Sequence, residues 1–172
     1  TRRSYIYGGW LTNAKENGLV LDGLASGSKF SVENHIENLR IYYCEGYGVY
    51  HDHSYDNSFD YVYVQDCSLD GIRLVSGTSS WIHPHSVRSG QDGFRIDSSS
   101  NILWHYHADT SDRHGLNIAG PLATGNMICN PYVFDNGQES ANVYDGIRIT
   151  GKNNTINSGI FPASTTQAYV IR

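Results

Sequence analysis

A short pattern of apolar and polar positions recurs along the chain. A glycine, or once an alanine, precedes an apolar residue, a variable residue and a second apolar residue, as in Gly71-Ile72-Arg73-Leu74. Because successive side chains of a β-strand point to opposite faces, the pattern predicts a short strand with its apolar residues on one face. The predicted strands begin at Gly18, Gly48, Gly71, Gly93, Gly115, Gly146 and Ala168.

The spacing of these strands indicates a structural repeat. Their successive intervals are 30, 23, 22, 22, 31 and 22 residues. A second apolar run precedes the coil glycines, and clusters of Ser, Asn, Asp and Gly, which favour turns, separate the runs. Sustained helical spacing is absent from the sequence. We therefore predict an all-β solenoid, a parallel β-helix of about seven coils of roughly 22 residues, with neighbouring coils stacked at about 4.8 Å.

The two longer intervals predict loops, and the length predicts a single domain over residues 1–172. The first interval places a loop near Ser26 to Ser28 or at Asn34-His35, and the last places an insertion within residues 137–144. The chain starts without Met and stops inside a predicted strand, so we expect a fragment of a longer chain with flanking domains or caps. The net charge of −5 argues against a nucleic-acid partner, which would need a basic face. The sequence has no apolar run of the length of a membrane span, so no membrane partner is predicted.

Aligning the coils on their glycines predicts which side chains stack. Four positions earlier, Cys44 falls beside Cys67, either as a disulfide or in a ladder of small residues with reduced thiols. Two positions after the glycine, Arg73 falls beside Arg95. The repulsion between the two positive charges requires a neighbouring anion, either Asp97 or Asp92, or a substrate carboxylate or phosphate.

Titratable residues concentrate at the position before the glycine. Asp70, Asp92 and His114 occupy it in successive coils, and Arg113 adjoins the last. In one interpretation the aspartates only cap the turn before the glycine. In the other they form an acid–base pair, since carboxylates about 5 Å apart are typical of retaining glycosidases.

Ten and eight positions before the glycines, the alignment predicts a two-by-two block of imidazoles beside a tyrosine pair. Such a block suits transition metals, but neither a cysteine nor an acid obviously completes a site, so we predict no metal. We favour a surface that stacks on sugar rings or packs on a neighbouring subunit. The residues are Tyr61, Tyr63, His83, His85, His105 and His107.

The whole chain resembles the right-handed parallel β-helix, or pectin-lyase-like, superfamily. Within it, Asp92-Gly93-Phe94-Arg95-Ile96-Asp97 and the later Asp112-Arg113-His114-Gly115 resemble the catalytic modules of mannuronan epimerases. That resemblance implies that Arg113 lines an alginate-binding cleft. The Tyr-Gly-x-Asp-Pro-His motif of those modules is missing two coils earlier, where the chain has Asp70-Gly71-Ile72-Arg73-Leu74-Val75. The calcium-binding acids of pectate lyases are not found either. No cofactor is therefore predicted, and no motif in the sequence supports a calcium site.

Coils such as Asp56-Asn57-Ser58-Phe59-Asp60-Tyr61-Val62-Tyr63-Val64 also resemble viral tailspikes. These are trimeric β-helices that bind or cleave surface polysaccharides with carboxylates in an outer groove. This resemblance implies a homotrimer and a site that uses Asp70 and Asp92.

Together these observations predict a carbohydrate-active module that acts on an acidic polysaccharide by epimerase-like or lyase-like chemistry, outside the cell or on a virion surface. The alternatives are a tailspike-type receptor-binding depolymerase and a non-catalytic glycan-binding or structural shaft. The predicted catalytic residues are Arg113, His114, Asp92 and Asp70. The predicted substrate-binding residues are Arg73, Arg95, Asp97, Tyr61, Tyr63, His83 and His105.

Overall fold

The computed structural model describes residues 3–23 and 31–162, and this part of the chain is a stack of β-coils. Its strands, in chain order, are β1 (Tyr5–Thr12), β2 (Leu19–Asp22), β3 (Ser31–Val32), β4 (His35–Cys44), β5 (Val49–Asp52), β6 (Ser54–Asp60), β7 (Tyr63–Cys67), β8 (Ile72–Leu74), β9 (Gly77–Ile82), β10 (His85–Ser89), β11 (Phe94–Ile96), β12 (Ile102–Trp104), β13 (His107–Asp109), β14 (Leu116–Ile118), β15 (Met127–Cys129), β16 (Tyr132–Phe134), β17 (Ile147–Ile149) and β18 (Thr155–Asn157). No helix in the described ranges is long and apolar enough to cross a membrane.

Every strand pairs in parallel with the equivalent strand of a neighbouring coil, which confirms the predicted solenoid. The first face contains β6, β9, β12, β15 and β18, the second contains β7, β10, β13 and β16, and the third contains β2, β5, β8, β11, β14 and β17. The long strand β4 joins the first two faces: its residues 35–37 pair with β6, and its residues 40–44 pair with β7. A regular coil therefore contains three strands.

The coil glycines repeat because the stack leaves no room for a side chain at their position. A Cβ atom added to Gly71 would lie 2.7 Å from the carbonyl oxygen of Gly93, and one added to Gly93 would lie 2.7 Å from that of Gly115. Real Cβ contacts do not come so close, so the backbones of successive coils exclude any larger residue here. The predicted strand at Ala168 lies outside the described residues.

The core is a column of inward-pointing apolar side chains that runs through the coils. Phe59 and Trp81 stack with ring centroids 3.7 Å apart and planes at 3°. Phe94 follows with its ring edge-on to Trp81, and Tyr106 with its ring edge-on to Phe94. The Tyr106 hydroxyl donates a hydrogen bond to the carbonyl of Gly115, which gives this buried polar group a partner.

The predicted stacking of the two cysteines and one of the two predicted loops agree with the structure. Cys44 lies in register with Cys67, and both are free thiols, which favours the ladder of small residues over a disulfide. Residues 137–144 form turns rather than strand, which confirms the insertion. The loop predicted near Ser26 to Ser28 lies outside the described residues, whereas Asn34 lies at the short junction between β3 and β4.

Candidate functional site

The predicted acid–base residues form a ladder of hydrogen-bond acceptors between coils. Asp70 Oδ1 accepts the backbone N–H of Asp92 at 3.0 Å, and Asp92 Oδ1 accepts that of His114 at 3.0 Å. His114 Nδ1 accepts the N–H of Asp145 at 2.9 Å, so the imidazole proton lies on Nε2. Each side chain thus satisfies the backbone of the next coil just before its glycine.

Both carboxyl groups of this ladder are buried, with 1% of Asp70 and 2% of Asp92 exposed. Burial raises the pKa of Asp70 to about 6, and the charge of Asp92 adds to this shift. Burial also raises the pKa of Asp92. The hydrogen bond that Asn117 Nδ2 donates to Asp92 Oδ2 at 2.7 Å acts in the opposite direction and lowers this pKa. Raised carboxyl pKa values are typical of general acids, but these groups lack the exposure that a polymer would need to reach them.

Arg113 and His114 are neighbours in sequence but occupy different environments. The His114 ring is buried and lies edge-on to Tyr144, with centroids 5.3 Å apart. The Arg113 side chain is 39% exposed and donates from Nε to Glu139 Oε2 at 3.0 Å, and this hydrogen bond raises the pKa of Arg113. Glu139 and Tyr144 both belong to the insertion, which therefore packs against this end of the ladder.

The predicted arginine column lies on the third face and carries its own counter-charge. Arg73 and Arg95 are in register on β8 and β11. Asp97 contacts both guanidinium groups, through its Oδ2 to Arg73 and its Oδ1 to Arg95 Nε at 3.3 Å. Asp70 Oδ2 lies 3.3 Å from Arg73 Nη1. The column is thus neutralised within the protein, as one of the two sequence interpretations expected.

The imidazole block forms the wall of a groove on the second face, at its corner with the first. We call it the imidazole groove, and its cavity volume is about 490 Å³. Its walls comprise Tyr61, Tyr63, His83, His85, His105 and His107. This is the arrangement that the alignment predicted, with two rows of rings that cross three coils.

Rings in the row at the corner stack face to face. Tyr61 and His83 have centroids 4.5 Å apart and planes at 12°, and His83 and His105 have centroids 4.9 Å apart and planes at 8°. Because these faces cover one another, the edges of the imidazoles rather than their faces are left for new contacts, although His83 Nδ1 is shielded from solvent.

In the second row, the face-to-face stack is restricted to two histidines. His85 and His107 are in register, with centroids 3.9 Å apart and planes at 9°. Tyr63 at one end and Tyr132 at the other lie nearly perpendicular to the imidazole that they contact, at 86° and 80°.

Asp109 completes this row and is the functional candidate that the sequence reasoning missed. Its Oδ2 lies 3.2 Å from His107 Nε2 and 3.4 Å from His85 Nε2. Burial opposes ionisation of Asp109, but the interactions with His107 and His85 outweigh it and hold the pKa of the carboxyl well below its usual range. The signal was the alternation in His107-x-Asp109, which places both side chains on the same strand face.

Taken as a whole, the groove offers a repeated polar edge and, near one end, the guanidinium of Arg40, and the carboxylate of Asp109 contacts its His85 and His107. The groove can exchange hydrogen bonds with an extended polar ligand, and its imidazoles and the Asp109 carboxylate are also metal-ligating groups.

Comparison with known proteins identifies the fold family. The family model described as a right-handed beta helix region matches residues 13–170. No curated protein and no solved structure matches the chain. Because the family match spans nearly every coil in the structure, the chain belongs to the right-handed β-helix family.

Proposed function

We propose that this protein binds an acidic polysaccharide in the imidazole groove, with the chain of the ligand laid along the axis of the solenoid. The observation that carries the proposal is the repetition of polar ring side chains in register, because Tyr63, His85 and His107 come from adjacent coils and face the same groove. A binding surface that repeats at the coil spacing of about 4.8 Å suits a ligand that repeats as well.

The polar groups in the groove match those of a uronate polymer. His83 Nδ1 and His107 Nε2 are shielded from solvent, so hydrogen bonds with hydroxyl groups are left to the other ring nitrogens of the groove, and the tyrosines add amphipathic rings. Arg40 adds a guanidinium, which forms charge-assisted hydrogen bonds with carboxylates.

The groove is a better candidate than the row of Asp70 and Asp92. Those carboxyl groups are buried, and each already accepts a backbone hydrogen bond. The guanidinium of Arg113 is engaged by Glu139. These contacts favour binding over catalysis, and the assay below tests both.

The test measures binding of the full chain to alginate, pectate and a neutral glucan by calorimetry, in buffer that contains a metal chelator. The informative variant is His83→Asn combined with His105→Asn. Asparagine occupies the equivalent corner at Asn38 and Asn130 and tolerates the same backbone conformation. We expect binding to the acidic polymers only, with a roughly thirtyfold loss in the double variant if two hydrogen bonds of about 1 kcal/mol each are removed.

Arg95→Ala is the matched control because it removes a cation from the third face. It should bind as the unmodified protein does. The opposite result, a loss with Arg95→Ala and none with the histidine variant, would move the site to the arginine column. Proton NMR of the polymers after incubation checks catalysis, and a product whose formation requires Asp92 would replace the binding proposal with an enzymatic one.

A further inference from the structure

We propose that His85, His107 and Asp109 form a site for one divalent transition-metal ion of the Zn²⁺ type. The inference goes beyond the proposed polysaccharide binding and does not depend on it. The three side chains come from β10 and β13, two adjacent strands of the second face, and one ligand atom from each lies within 4.8 Å of the other two.

The distances between these atoms suit a shared ion. Zinc bonds to imidazole nitrogen and carboxylate oxygen measure about 2.0 to 2.2 Å, so the ligand atoms of a tetrahedral site lie about 3.4 Å apart. Asp109 Oδ2 lies 3.2 Å from His107 Nε2 and 3.4 Å from His85 Nε2. The same separations are at or beyond the long end of the range for good N–H···O hydrogen bonds.

A second observation points to a missing partner. His107 Nε2 is shielded from solvent, and its contact with Asp109 lacks hydrogen-bond geometry, so the atom has no hydrogen-bond partner. Buried polar nitrogens in folded proteins normally have one, and an ion coordinated by Nε2 would supply it.

The donor set selects the class of ion. Two imidazoles and a carboxylate suit Zn²⁺ and its neighbours better than Ca²⁺ or Mg²⁺, which prefer oxygen ligands. The side chains of His85 and His107 are 29% and 33% exposed, so the three ligands lie at the surface of the solenoid rather than in its apolar core.

Two nearby arrangements provide controls. His83 and His105 also stack, but the nearest approach of His83 to a carboxylate is 3.9 Å, between Nδ1 and Asp60 Oδ1. Asp22, Asp52 and His53 form the other group of three possible ligands among the described residues, and two of its three donors are carboxylates.

The experiment uses the full chain without an affinity tag, freed of metal with a chelator that is then removed. Zn²⁺ is titrated by calorimetry, and Co²⁺ is titrated by absorption, whose d–d bands report tetrahedral coordination. We expect one ion per chain, and a loss of affinity of about tenfold or more in His107→Ala and in Asp109→Asn. His105→Asn and Asp52→Asn should keep the affinity of the unmodified protein, and circular dichroism should show that every variant is folded.

Absence of Zn²⁺ uptake by the folded protein would overturn the proposal. So would uptake that survives both His107→Ala and Asp109→Asn, or uptake that is lost only with Asp52→Asn, which would locate the ion at the other group. Because polysaccharide binding is measured in the presence of chelator, either proposal can fail without the other.

Discussion

Left-handed backbone at one corner of the coil determines which residues can line the imidazole groove. Tyr61, His83 and His105 each have φ of 51°, a conformation that costs bulky residues free energy. Asn38 and Asn130, with φ of 54° and 50°, occupy the same corner with a residue type that tolerates it. Three aromatic or imidazole rings are therefore held at this corner at a backbone cost that asparagine meets more readily.

Asp70 gives the fold a specific pH dependence. Its pKa in the folded protein, about 6, lies above the ordinary value of 3.8, so the folded state favours the protonated form. The contribution of this group to stability is present in full below pH 3.8 and is lost as the pH rises through 6.

We predict that Asp70→Asn removes this loss. The amide oxygen can still accept the N–H of Asp92, but the side chain cannot ionise. Relative to the unmodified protein, the free energy of unfolding of the variant should rise by about 3 kcal/mol between pH 3.5 and pH 7, since each pKa unit corresponds to about 1.4 kcal/mol. Urea unfolding across this range measures it, and a difference that stays constant with pH would contradict the prediction.

At the scale of the strand and turn, the glycine column sets how closely coils approach. A Cβ atom on Gly71 would lie 2.0 Å from Ser86 Oγ and 2.7 Å from the carbonyl oxygen of Gly93. We therefore predict that Gly71→Ala lowers the free energy of unfolding by roughly 3 kcal/mol, the upper end for overpacking a filled interior. Urea unfolding followed by circular dichroism measures the loss.

Gly125→Ala is the matched control for this substitution. Gly125 has φ of 67°, and the nearest atom to an added Cβ there is 4.0 Å away, so alanine meets conformational strain without a clash. That strain is about 1 kcal/mol. Equal losses at the two positions would show that close approach between coils is not what requires glycine at Gly71.

The sequence predicted some elements better than others, for physical reasons. Strands next to a glycine were predictable because apolar alternation and a steric requirement coincide at each of them. The buried asparagine ladder at the start of the first face, in which Asn101 accepts from the N–H of Ser79 and Asn126 from that of Asn101, was missed. Its members follow irregular intervals, and their role depends on backbone groups from another coil.

The candidate site also has features that could be predicted from the sequence and features that could not. Register followed from the repeat, so the stacking of His85 on His107 was predicted correctly. The depth of each side chain did not follow, because burial of Asp70 and Asp92 depends on the coils above and below them. The contact between Arg113 and Glu139 depends on the path of an insertion that has no repeat.

At the scale of the whole molecule, the solenoid is a one-dimensional stack in which each coil contacts its neighbours. Stability in such an architecture is approximately a sum of coil terms and terms for adjacent interfaces. The energetic coupling between two core residues should therefore depend on the number of coils between them. Phe59 and Trp81 are in register on adjacent strands, whereas Phe59 and Ile147 are separated by several coils.

We predict that double-mutant cycles separate these two cases. Phe59→Leu with Trp81→Leu removes a face-to-face ring stack and should show a coupling energy of about 1 kcal/mol, typical of aromatic pairs. Phe59→Leu with Ile147→Val should be additive within about 0.5 kcal/mol, because the sites share no neighbours. Urea unfolding of the singles and doubles provides the energies. Equal coupling in both cycles would mean that packing strain spreads along the column, and the imidazole groove would then be coupled to distant coils as well.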